Sequence, residues 1–276
     1  MLNRLLLLLL FLSGCTGLAP LERGQHMDTL ATAGHWQKLR LPAGAFVLTA
    51  YGPEQPLTDV MLTVYIEGDG LAWITPTMAS DDPTPRKPVS LELALRHPDG
   101  HGIAAYLARP CQNVAASDWG NCKQDYWTDR RYAPEVVESS DQAISALKQR
   151  YGAQKLILVG YSGGGTIAAL VAARRKDVVR LVTVAGNLDI LAWTTQHHLL
   201  PLTGSLNPAD EWAQLQNISQ LHFVGGKDSV VSAEIAHAYI ERFPSDSRPQ
   251  MRIVPEVDHS CCWVEQWPQL AREAFP

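Results

Sequence analysis

The chain has 276 residues, of which 46% are hydrophobic and 18% charged. That balance excludes disordered, collagen-like and coiled-coil chains, and it suits one large core or two small ones. The net charge of −5 excludes a broad basic field for nucleic acid. The basic cluster Arg174-Arg175-Lys176 follows a helical run and reads as a solvated helix end, where cations complement the helix dipole.

In chain order, Arg4 precedes an apolar run over residues 5–12, too short to span a bilayer as a helix. The run ends in Leu12-Ser13-Gly14-Cys15, which resembles a bacterial lipobox: an aliphatic residue, two small residues, then a cysteine that takes lipid and becomes the new N-terminus. The resemblance implies a signal peptide over residues 1–14, a membrane partner reached through lipidated Cys15, and a cell-envelope location. Thr16, rather than Asp, follows the cysteine. In lipoproteins of Gram-negative cells that implies the outer membrane, facing the periplasm. Residues 15–36 are polar and irregular and read as a tether, which leaves 37–276 as the folded domain.

Residues 60–66 (VMLTVYI), 101–108, 155–159 (KLILV), 180–185 (RLVTVA), 221–224 and 251–254 are strand-like runs. Residues 135–150 are predicted to be a helix, with Val136, Val137, Ala143, Ile144 and Leu147 along one stripe. Residues 166–175 and 233–243 are predicted helices as well. This alternation predicts the α/β class, with a mainly parallel sheet and helices on both faces. Parallel strands covered on both sides should be continuously apolar, as KLILV is. Residues 109–134 and 187–218 interrupt the rhythm and should leave the C-terminal edge of the sheet, where such folds place ligands. Long loops there are usually functional, and residues 187–218 are a candidate small lid.

Four cysteines follow Cys15, and they allow three complete pairings. Export implies an oxidising compartment. Cys111 and Cys122 flank a short polar loop and are the expected disulfide. Cys261 and Cys262 are adjacent, and a bond between neighbours requires a strained ring. The chain has no Cys-x-x-Cys or His-Glu-x-x-His motif, so no metal site is expected. His97 and His101 have helical spacing, but Pro98 and Gly100 lie between them.

Gly160-Tyr161-Ser162-Gly163-Gly164 fits Gly-x-Ser-x-Gly. Alone the pattern is weak. Here a β-rich strand runs into it and a small-residue helix follows, the strand–turn–helix context that a nucleophile elbow needs. A serine hydroxyl needs a base, and the base needs an orienting acid. His259 lies just past the last predicted strand. Asp228 lies past the strand before it, in Gly225-Gly226-Lys227-Asp228. Asp189 and Asp258 compete for the acid role. Asp258 is adjacent to His259, and neighbouring side chains on an extended segment point apart.

With these residues in the order Ser, Asp, His, most of the chain beyond residue 36 resembles the α/β-hydrolase superfamily. The resemblance implies the α/β-hydrolase fold and hydrolysis of a small-molecule carboxylic ester or related acyl substrate through an acyl-enzyme. It implies neither a metal nor a nucleotide cofactor. It also implies an oxyanion hole from two backbone amides, that of Gly163 and one in Glu67-Gly68-Asp69-Gly70, by position Asp69 with Gly70 as its neighbour. Glu67 stands where many esterases have histidine. Two carboxylates so near the site would disfavour anionic substrates if both stay ionised, unless arginines such as Arg109 or Arg130 hold them. A reading from another class is a surface-tethered binding protein with a degenerate hydrolase fold. A third is a lipase acting on the membrane that tethers it. Oligomeric state stays open.

Overall fold

The computed structural model describes residues 20–54 and 58–275. The first half of the chain forms α1 (Pro20–Ala33), β1 (Trp36–Ala43), β2 (Phe46–Pro53), β3 (Met61–Ile66), β4 (Trp73–Thr75), β5 (Met78–Ala79), α2 (Val89–Ala94) and β6 (Ile103–Leu107). Then follow α3 (Pro134–Arg150), β7 (Lys155–Tyr161), α4 (Gly163–Ala172), β8 (Val178–Val184) and α5 (Ile190–Gln196). The chain ends with α6 (Trp212–Leu215), β9 (Ser219–Gly225), α7 (Ala233–Ile240), β10 (Gln250–Val254) and α8 (Trp263–Ala274).

Eight strands form one sheet in the order β1-β2-β6-β3-β7-β8-β9-β10. The β1–β2 and β2–β6 pairs are antiparallel. Every other pair is parallel, so the expected mainly parallel α/β sheet is what forms. The pleat divides the central strands between two cores. Leu62, Val64 and Ile66 of β3 pack with α3 and α4 on one face. Tyr65 of β3, with Ile157 and Val159 of β7, packs with α1, α2 and α8 on the other. Both faces of β7 are covered, which is why KLILV carries no polar alternation.

Helix α1 corrects the expectation of an irregular tether up to residue 36. Met27 and Ala31, one turn apart, bury one side of it in the second core. The signal segment 1–14, Cys15 and Thr16 lie outside the described residues. Among the described residues no helix is long and apolar enough to cross a membrane.

Cys111 and Cys122 are joined, and so are the neighbours Cys261 and Cys262. Of the segment 187–218, α5 borders the cleft described below, while Ala209 and Leu215 are buried in the first core. Among the described residues no group of three His, Cys, Asp or Glu side chains is arranged to hold a metal ion.

Candidate active site

The C-terminal ends of five parallel strands converge on one cleft of about 590 Å³. Strand β7 ends in Tyr161 and delivers Ser162, which has φ +50° and ψ −123°. Serine is strained in that conformation, and the surroundings hold it there. Its N–H donates to the Val184 carbonyl (3.0 Å), and its carbonyl accepts from Gly165 N (2.9 Å). The two glycines of the motif are required by contact. A Cβ on Gly160 would lie 2.3 Å from the Gly164 carbonyl oxygen, and one on Gly164 would lie 2.2 Å from that of Ile66.

Asp228 follows β9 and His259 follows β10, so neighbouring strands bring them together. Ser162 Oγ lies 2.9 Å from His259 Nε2. His259 Nδ1 lies 2.8 Å from Asp228 Oδ2. The other oxygen of Asp228 accepts from the Val230 and Val231 amides, both at 2.8 Å, which fixes its carboxylate plane. The three sequence candidates therefore form one hydrogen-bonded chain. The competing acids lie elsewhere. Asp189 caps α5, accepting from Ala192 N (3.0 Å). Asp258 accepts from the Ser260 and Cys261 amides, at 2.8 and 2.6 Å.

The loop after β3 crosses the serine: a Cβ on Gly68 would meet Ser162 Cβ at 3.4 Å. Gly163 is the first residue of α4, so its amide has no acceptor within the helix. Gly163, Asp69 and Gly70 all line the cleft beside Ser162.

The two carboxylates of this loop are not free anions. Asp69 bonds to Arg109 (3.0 Å), Arg131 (2.9 Å) and the Tyr132 hydroxyl (3.0 Å). Burial alone would raise the Asp69 carboxyl, but Arg131 and Arg109 outweigh it and hold it below the usual carboxylate range. Arg109 thus serves as expected, while Arg130 does not: it pairs with Glu135, and its neighbour Arg131 turns inward. Arg109 also donates to the Arg131 carbonyl, so the clamp is tied together from behind. Glu67, 1% exposed, accepts from the Gly68 amide (2.9 Å). Burial pushes its carboxyl up to about 7, against the Gly68 and Ser90 amides that lower it.

Sequence reading missed Arg131, Tyr132, and the contributions of Tyr161 and Trp263. The Tyr161 hydroxyl (2.9 Å) and Trp263 Nε1 (3.1 Å) both donate to the His259 carbonyl. Tyr161 stands inside the motif, a position the pattern leaves undefined.

A family model for the alpha/beta hydrolase fold matches residues 98–217, a span that includes Ser162 and ends before Asp228 and His259. No curated protein matches the chain. Among solved structures, an esterase from Pyrococcus furiosus superposes with a TM-score of 0.58 at 11% identity, over 88% of this chain and 92% of that one. A putative dienelactone hydrolase from Klebsiella pneumoniae gives 0.55 at 16% identity, over 87% and 95%. A Xanthomonas campestris protein described as an a/b serine hydrolase without lid gives 0.54 at 14% identity, over 88% and 96%. Sheet order, elbow, family model and solved likenesses agree that this chain has the α/β-hydrolase fold.

Proposed function

We propose that the protein is a serine hydrolase that cleaves a carboxylic ester or related acyl compound through an acyl-enzyme. The observation that carries this reading is the unbroken chain from Ser162 Oγ to His259 to Asp228, opening into the cleft at the sheet edge. Ser162 attacks the acyl carbon while His259 Nε2 takes its proton. The resulting tetrahedral oxyanion sits between the Gly163 and Asp69 amides. His259 then protonates the departing alcohol, and water releases the acyl group by the same steps. Asp228 holds the tautomer with the proton on Nδ1 and stabilises the imidazolium during attack.

The test is hydrolysis of p-nitrophenyl esters by the parent and by Ser162→Ala. The expected outcome is loss of nearly all turnover, and of fluorophosphonate labelling, in the variant. Unchanged turnover in Ser162→Ala would remove the serine from the mechanism. A parent that never labels would favour a non-catalytic binding protein on the same fold. Because His259 has to be neutral to act as base, kcat/KM should rise with pH to a plateau.

The location proposed is the cell envelope, through lipid on Cys15. Cys15→Ser should release the protein from membranes or block processing of the signal. A mature parent protein with an unmodified, soluble N-terminus would overturn it.

A further inference from the structure

We propose that the substrate carries an anionic group, a carboxylate or a phosphate, which Arg86 and Lys87 bind at the mouth of the cleft. This rests on the serine hydrolase reading and adds the substrate class. Both side chains line the same cleft as Ser162 and His259. Both are exposed, and neither has a carboxylate or carbonyl partner among the described residues. Some exposed cations elsewhere find acids, as Arg40 finds Asp118 and Lys227 finds Glu256; what sets Arg86 and Lys87 apart is their adjacency at the cleft that holds Ser162. In a chain of net charge −5, two adjacent unpaired cations at the site entrance run against the overall sign.

The backbone that presents them is fixed. Pro85 and Pro88 bracket the pair, and a proline restricts the residue before it to extended conformations. Pro88, at φ −81° and ψ 73°, forms an inverse γ-turn closed by Val89 N to the Lys87 carbonyl (3.0 Å). Upstream, the Pro83 carbonyl accepts from Leu71 N (3.0 Å). Downstream, Ser90 Oγ donates to the Ile66 carbonyl (2.8 Å). The basic segment is therefore pinned at both ends to the loop that crosses Ser162, and little ordering is left for an incoming anion to impose.

Among the described residues that line the cleft, none on that side is a free anion. Asp69 is matched by two arginines, and Glu67 is buried beneath the loop. Of the two alternatives for these carboxylates, retention by arginines is the one that applies to Asp69. With Arg131 in the wall and Arg86 and Lys87 at the mouth, the local field favours a negative group. Leu71, Trp73, Trp193 and Val230 supply apolar wall for the rest of the molecule.

The test compares kcat/KM within matched ester pairs: mono-p-nitrophenyl adipate against its methyl ester, and 4-acetoxybenzoate against its methyl ester, with 4-acetoxyphenyl phosphate as the phosphate arm. The first pair puts the anion on the acyl side and the second on the leaving group. The expected result is a preference for the anionic member of at least one pair. Arg86→Ala with Lys87→Ala should reduce that preference roughly tenfold, as should raising salt from 0.05 to 0.5 M. The exchanged variant Arg86→Lys with Lys87→Arg should keep it. Hydrolysis of the neutral esters with no anionic preference, or a preference that survives the double alanine change, would overturn the proposal and leave the serine hydrolase standing. No hydrolysis of any ester by the parent would overturn both. Activation by vesicles containing anionic phospholipid that requires Arg86 and Lys87, with no preference among the soluble pairs, would overturn it in favour of a membrane contact.

Discussion

Ser162 illustrates how one residue is held where its own preference would not put it. At φ +50° it is strained, and the Val184 and Gly165 hydrogen bonds, with bare Gly160 and Gly164 on either side, leave it no other place. The same over-determination applies to Asp228, whose two oxygens accept three hydrogen bonds from His259 and the Val230 and Val231 amides. Changing Asp228 to Asn removes the acceptor that selects the productive tautomer while keeping the shape. In serine proteases the equivalent change lowers kcat by about 10⁴. Asp228→Asn should therefore cost on the order of a thousandfold or more in kcat, with an unchanged circular dichroism spectrum. Asp189→Asn keeps an oxygen that can accept from Ala192 N, so it should leave both kcat and stability near the parent's. A crippled Asp189→Asn beside a near-normal Asp228→Asn would move the acid back one strand.

At the scale of elements, α8 and the elbow together position the histidine. The amphipathic stripe Trp263, Trp267, Leu270, Ala271 and Ala274 seats α8 on the sheet, where Trp267 meets Tyr65 and Phe223 edge-on. Its first residue, Trp263, reaches back to the His259 carbonyl, which Tyr161 also holds. Removing both donors while keeping an aromatic ring at each position, as Tyr161→Phe with Trp263→Phe, should lower kcat about thirtyfold and leave KM within about twofold, because each of the two lost bonds is worth about 1 kcal/mol of orientation. Equal effects on kcat and KM would mean that these groups shape the cleft rather than the base. How legible each element was follows from how local its signal is. The KLILV strand and the Gly-x-Ser-x-Gly turn could be read directly, because burial on both faces and close backbone contact each demand particular residues in sequence. The stripe of α8 was equally regular, but Pro268 interrupts it and Cys262, in a left-handed conformation, replaces an ordinary cap. The choice between Arg130 and Arg131 was not legible at all. It depends on the turn around Thr128, whose carbonyl accepts from Arg131 Nε (2.6 Å) and sends that side chain inward.

The whole molecule is a sheet between two cores, and the candidate site sits where that sandwich ends. Stability and site geometry are therefore linked through a few groups at the sheet edge. The Cys111–Cys122 bond closes a loop that begins two residues after Arg109, with a sequence separation of 11. A loop of that size is worth about 3 kcal/mol through the unfolded chain, so Cys111→Ala with Cys122→Ala should lower Tm measurably under oxidising conditions and leave the parent's reduced-state Tm nearly matched. Glu67 links stability to pH. In the unfolded chain its carboxyl titrates near 4.5, and in the folded protein burial moves it up to about 7. The folded state thus binds the proton more tightly than the unfolded state does. Protonated Glu67 favours folding, an effect complete below about pH 4.5 and lost as pH rises through about 7. Glutamine reproduces the shape of the protonated acid without the titration. Glu67→Gln should match the parent in denaturant unfolding near pH 4.5 and exceed it above pH 7, by on the order of 3 kcal/mol at most. Taking the difference between the two proteins at each pH cancels the other titrating groups, buried His97 and His222 among them. A difference that stays constant from pH 4.5 to 8 would show that Glu67 titrates in the folded protein as it does in the unfolded chain, and is ionised near neutral pH. The floor of the cleft would then carry a full negative charge.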